Sequence, residues 1–221
     1  MAHLERTLAV ALLGGTALLG IGAAFHPMLV GDAASQLRII AATPYWRSLH
    51  MAMLAGSALV ATGVWVRLID RRSTLVLREP AAGGLIAALA VVSVGVCLQA
   101  LNIAYMAGSG TLMAALFAQG RTEMSAVFEV THPIGQMVGR FGNLVIALGA
   151  LGLGWAEWQD SSRPRWIAWL AWGAGAIGLV CAVFFNEASP LVVAPVALLS
   201  AWQVATAARV LLARSVTRTQ A

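Results

Sequence analysis

Five long stretches of this chain carry no charged side chain: positions 7–31, 48–66, 81–120, 166–186 and 188–208. A sixth, 130–156, holds a single charge, Arg140. A helix crosses bilayer hydrocarbon with roughly 20 apolar residues, so these runs predict membrane-spanning helices. The run from 81 to 120 is too long for one crossing. Gly108-Ser109-Gly110 is expected to break it, leaving a helix to about 107 and an apolar piece at 111–118 that lies at the interface or re-enters. The first run exceeds the ~7–15 apolar residues of a cleaved signal and is read as a retained span. The expectation is an all-α integral membrane protein. Its single transmembrane domain is a six-helix bundle with spans near 7–30, 48–67, 81–107, 130–156, 165–186 and 188–209.

Composition agrees. Hydrophobic residues make up 60% of the chain and charged ones 10%, with a mean hydropathy of +0.82; soluble domains run near ~45–50% and ~25%. A cytosolic enzyme and a disordered chain are both excluded. All 14 basic residues are arginine. Without lysine there is no Schiff base to retinal or pyridoxal phosphate.

The arginines also orient the bundle. With the N-terminus inside, Arg6, Arg67, Arg71, Arg72, Arg78, Arg163, Arg165, Arg209, Arg214 and Arg218 are cytoplasmic, against Arg38, Arg47 and Arg121 outside. The positive-inside rule then places both termini in the cytoplasm of a cell's inner membrane. Trp155, Trp158, Trp166 and Trp169 supply an inner aromatic belt. The isoelectric point near 10.6 follows from this bias and implies no nucleic-acid partner. The expected partners are the lipid bilayer and either a second copy or a larger membrane complex. Gly135, Gly139 and Gly142 lie near one helical face and suit close helix packing. Cys97 and Cys181 read as lone apolar thiols.

Three histidines fall at one depth, near the outer interface: His26, His50 and His132. Met28, Met51, Met53, Met106, Met113, Met124 and Met137 all lie in the outer half of this topology. Imidazole with thioether suits Cu(I), and His/Met also ligates haem. The metal candidates are therefore His26, His50, His132, Met28, Met51, Met53 and Glu129. In a copper version they form a site open to the outside for metal handling. In a b-type haem version His50 and His132 are axial ligands, Arg140 or Arg47 neutralises a propionate, and the role is electron transfer. Glu129-x-x-His132 is half of a di-iron carboxylate pattern, and no second Glu-x-x-His occurs.

The fourth span carries a polar stripe. Glu129, His132, Gln136, Arg140 and Asn143 follow at intervals of three and four and share one helical face. A charge as deep as Arg140 costs about 2.5–3.5 kcal/mol even on the lenient scale, so it faces the bundle interior toward a partner: Glu129, Glu187 or backbone carbonyls. Gln99 and Asn102 on the third span, with Glu187 near the sixth, complete a candidate polar cavity. Two further readings stand beside the metal centre. One is a small permease in which Arg140 binds an anionic solute; the other is a non-catalytic subunit whose polar residues join helices. None of them establishes a catalysed reaction.

Overall fold

A helix followed by a tight turn recurs through the computed structural model, which describes residues 2–185, 191 and 193–218. The helices are α1 (Ala2–Phe25), α2 (Ala33–Ala42), α3 (Trp46–Gly63), α4 (Val66–Ile69), α5 (Glu79–Tyr105), α6 (Thr111–Ala118), α7 (Met124–Gln159), α8 (Arg165–Phe184) and α9 (Val193–Arg218), and no strand occurs among the described residues. Among the described residues six segments are long and apolar enough to cross a membrane: His3–Phe25, Trp46–Ile69, Glu79–Ala118, Met124–Gln159, Arg165–Phe184 and Ala194–Leu212. They close into a ring, α1 on α3, α3 on α5, α5 on α7, α7 on α8, α8 on α9, and α9 back on α1.

The third span differs from expectation. Gly108-Ser109-Gly110 does not break it; a π-helical turn, Met106–Gly110, carries α5 directly into α6. A π turn bonds each backbone N–H to the carbonyl five residues earlier, and the Thr111 N–H reaches the Met106 carbonyl in this way. Here the Met106 carbonyl accepts from Thr111 Oγ1 at 3.0 Å and from Trp46 Nε1 at 3.3 Å. The fourth span is also longer than its apolar run, because α7 begins at Met124 and keeps Pro133 inside the helix. Proline lacks an N–H, so the Glu129 carbonyl four residues earlier loses its helical donor. Membrane helices tolerate this where neighbours compensate.

At ~1.5 Å per residue the 36 residues of α7 run to about 54 Å, well beyond a ~30 Å hydrocarbon core. The excess of α7 and the α6 extension lie at one end of the bundle, where α2 packs on both. Helix α2 lies between the first two spans, outside every segment that the apolar runs mark. Asp32 caps it by accepting from the Ser35 backbone N–H at 2.8 Å, and Leu37 and Ile40, three apart, face inward. A second apolar cluster forms there from Leu37, Ile40, Trp46, Met106, Met113 and Phe128, separate from the main core. This is the histidine end of the molecule. The opposite end gathers arginines.

Along the α5–α7 seam the backbones nearly touch. A Cβ on Gly142 would sit 2.6 Å from the Gln99 nitrogen and 2.8 Å from the Gly95 carbonyl oxygen. That approach brings Gln99 and Arg140 to the same interior space.

Candidate functional site

A partly open cavity of about 220 Å³ lies among the six long helices. Its wall takes Arg140 and Asn143 from α7, Gln99 from α5, Thr16 from α1 and Gln203 from α9; most of the rest is aliphatic. Arg140 is half-buried and turns inward. Its Nε donates to the Ala182 carbonyl at 2.7 Å, and Nη2 donates to the Phe185 carbonyl. Both carbonyls belong to the C-terminal end of α8, where helix carbonyls lack backbone donors and the dipole is negative. A cation there is favoured. Of the three partners open to Arg140, the structure provides backbone carbonyls. Glu129 is exposed, and Glu187 lies outside the described residues. Nη1 makes no hydrogen bond among the described residues.

Across the cavity, Thr16 Oγ1 lies 2.8 Å from Gln203 Oε1 and 2.7 Å from the Leu12 carbonyl, so one hydroxyl hydrogen serves two acceptors. Gln136 and Asn102 do not reach the cavity wall. Asn102 packs against Gly135 and Gly139 on α7, and its buried Oδ1 has no hydrogen-bond partner among the described residues. Of the residues expected around a polar cavity, Arg140, Asn143 and Gln99 line this one. Thr16 and Gln203 join them, with no signal in the sequence beyond being polar residues inside apolar runs.

At the histidine end, His26 follows α1 directly and His50 lies one turn into α3. Their Nε2 atoms are 3.2 Å apart. His50 Nδ1 is 2.8 Å from the Trp46 carbonyl, and the Trp46 indole lies 4.4 Å from the His50 ring and 4.9 Å from the His26 ring. Burial pushes the His26 imidazole below its ordinary range, against the pull of the Pro27 carbonyl. His132 is buried elsewhere in this region, stacked on Phe128 at 4.5 Å. The structure therefore pairs His50 with His26 and leaves His132 out of the pair. Among the described residues no group of three His, Cys, Asp or Glu side chains is placed to hold one ion. Met28 and Met51 are exposed, Met53 lines the cavity, and Glu129 faces outward. Cys97 and Cys181 are both free thiols.

The arginine end holds a buried ionic network. Arg67 reaches Glu157 Oε1 at 2.9 Å and Asp160 Oδ2 at 2.8 Å, with all three side chains fully buried. Arg163 Nε meets Glu157 Oε2 at 2.8 Å, and its Nη2 donates to Thr206 Oγ1 at 2.9 Å. Trp202 Nε1 donates to Glu157 Oε1 at 3.1 Å, and Arg209 Nε pairs with Asp70 Oδ2 at 3.2 Å. Burial raises the Asp160 carboxyl, but hydrogen bonds from Ser162, Ser73 and Thr74 and the charge of Arg67 outweigh it, leaving the group well below the carboxylate range. Burial likewise lowers Arg163 to about 10, against the opposing pull of Glu157.

No family model, curated protein or solved structure matches this chain. The site's meaning rests on its own chemistry. In the sequence, Arg67, Arg163 and Arg209 speak only to the orientation of the bundle, and Asp70, Glu157 and Asp160 do not stand out. A signal exists nonetheless: Glu157, Asp160 and Arg163 recur every third residue, and Asp70 sits among Arg67, Arg71 and Arg72.

Proposed function

We propose that this chain is a small multi-pass permease of the cytoplasmic membrane, binding an amphipathic solute with an anionic head in the central cavity. The observation that carries the reading is Arg140. Its guanidinium stands on the wall of an interior space, anchored by two α8 carbonyls, with Nη1 uncommitted among the described residues. An arginine presents several N–H donors in a planar fork suited to a carboxylate. Gln99 and Asn143 beside it can complete the recognition of an anionic head, and the aliphatic wall suits an apolar body. The arginine bias of the loops orients the network end toward the cytoplasm. Gln203 on the cavity wall is followed one turn on by Thr206, which accepts from Arg163 of the ionic network, so α9 joins the cavity to that network.

The test uses purified full-length protein in detergent micelles, with octanoate and octanol as paired probes in calorimetry. Octanoate is expected to bind and Arg140→Gln to lose it while retaining octanol. Equal octanoate binding by Arg140→Gln, or none by the wild type, overturns the reading. Uptake of octanoate into proteoliposomes then separates a permease from a mere binding subunit.

A further inference from the structure

Histidine chemistry at the other end of the molecule goes beyond that reading and stands independently of it. His50 Nδ1 faces the Trp46 carbonyl at 2.8 Å. A carbonyl only accepts, so Nδ1 carries the hydrogen, and Nε2 of the neutral ring is left with a bare lone pair. That lone pair is directed at His26 Nε2, 3.2 Å away. Two imidazole nitrogens bound to one ion at roughly 2.0–2.1 Å each, near the tetrahedral angle, stand about 3.3 Å apart. The observed spacing therefore suits two ligands of one ion as well as it suits a hydrogen bond.

The surroundings select the ion. No third His, Cys, Asp or Glu among the described residues is grouped with this pair, so a divalent ion needing three or four protein donors or an anionic ligand is poorly served. A soft monovalent ion accepts neutral donors, and the bent angle that this spacing implies leaves room beside the two imidazoles for a thioether. The Trp46 ring lies against both imidazoles, and an indole π face favours a cation. Trp46 is itself fixed by its Nε1 hydrogen bond to Met106, the first residue of the π-helical turn. The exposed Met28 and Met51 are near neighbours of the two histidines in the chain and offer thioethers of the same softness.

We infer that His26 and His50 are the two imidazole ligands of a site for a single soft monovalent cation, Cu(I), beside the Trp46 indole. His132 is not part of it. Binding displaces any hydrogen on His26 Nε2 to solvent or to its own Nδ1, with no change in oxidation state.

The experiment titrates full-length protein in detergent micelles with Cu(I) against a colorimetric Cu(I) chelator, and with Ag(I) as a redox-inert probe. One equivalent is expected to bind. His26→Gln, on the half-buried residue after α1, should weaken it at least tenfold, and so should His50→Gln. His132→Gln should leave it unchanged, and Trp46→Phe should weaken it a few-fold. Unfolding temperatures identify any variant that fails to fold; His26→Gln, outside the helices, keeps the test decisive if His50→Gln does. Absence of Cu(I) and Ag(I) binding overturns the inference, as does undiminished binding by His26→Gln. Equal loss in His132→Gln overturns the two-histidine assignment, and Zn(II) binding as tight as Cu(I) overturns the ion class. Because Arg140 is intact in all these variants, octanoate binding tests the cavity reading separately.

Discussion

Arg67 and Glu157 meet at 2.9 Å with both side chains fully buried, although 90 positions separate them in the chain. Glu157 also takes Arg163 and the Trp202 indole, so one carboxylate ties α4 and α7 to the start of α8 and to α9. A buried ion pair is no stabiliser against a well-packed apolar pair, because desolvating two charges offsets their attraction. Breaking it is another matter, since the survivor stays buried and unpaired.

Glu157→Gln and Arg67→Met should therefore each lower unfolding stability by about 3–5 kcal/mol. The double variant should lose less than the sum, with a coupling of ~0.5–3 kcal/mol. Thermal unfolding in detergent measures all four species. Strict additivity would show that the two side chains act apart.

Asp160 gives the network a pH signature. Its carboxyl sits well below the usual range in the fold, whereas an unfolded aspartate titrates near ~3.9. A depressed acid contributes stability that is present above the unfolded value and is lost as pH falls through the folded one. Asp160→Asn should thus be less stable than the wild type at pH 7, by at least about 1.5–3 kcal/mol for a hydrogen-bonded charge. The gap should narrow below about pH 4. Unfolding temperatures of both proteins from pH 7 downward check this; a gap that does not change with pH would mean the charge contributes nothing.

How much of this molecule is legible in its sequence follows the physics of each signal. Apolar runs extend over some twenty residues, so composition alone marks all six spans. Helix ends depend on single hydrogen bonds: the Asp32 cap of α2 and the π turn at Met106 each rest on one local contact that no long pattern announces. Arg140 must point inward because nothing else can shelter a charge in lipid. Its partners, the carbonyls of Ala182 and Phe185, have no sequence signature. Histidines at one depth are visible, but depth says nothing about position around the ring. That angle separates the pair His26–His50 from His132. The ionic network is hidden because arginines near span ends explain themselves by topology, which draws attention away from the acids beside them.

The α5–α7 seam makes a paired prediction. Gly142→Ala places a methyl 2.6 Å from the Gln99 nitrogen and 2.8 Å from the Gly95 oxygen, backbone atoms that cannot step aside. It should cost about 1–3 kcal/mol by overpacking. Gly83→Ala, on α5 and with nothing within 4 Å of the new Cβ, should instead gain up to ~1 kcal/mol from helix propensity. Unfolding temperatures of the two variants should move in opposite directions.

Gly20 on α1 offers a test of the cavity that leaves Arg140 alone. It lies on the cavity wall, and a Cβ built there meets nothing within 4 Å. Gly20→Ala should therefore be accepted without strain, and Gly20→Leu should extend into the space that an apolar solute body would fill. Octanoate binding should fall slightly in the first and be lost in the second, while the unfolding temperature holds or rises because helix propensity improves. Octanol should be excluded together with octanoate, since the leucine removes volume rather than charge, whereas Arg140→Gln removes only the anion. A Gly20→Leu protein that folds and still binds octanoate as the wild type does would place the solute outside this cavity.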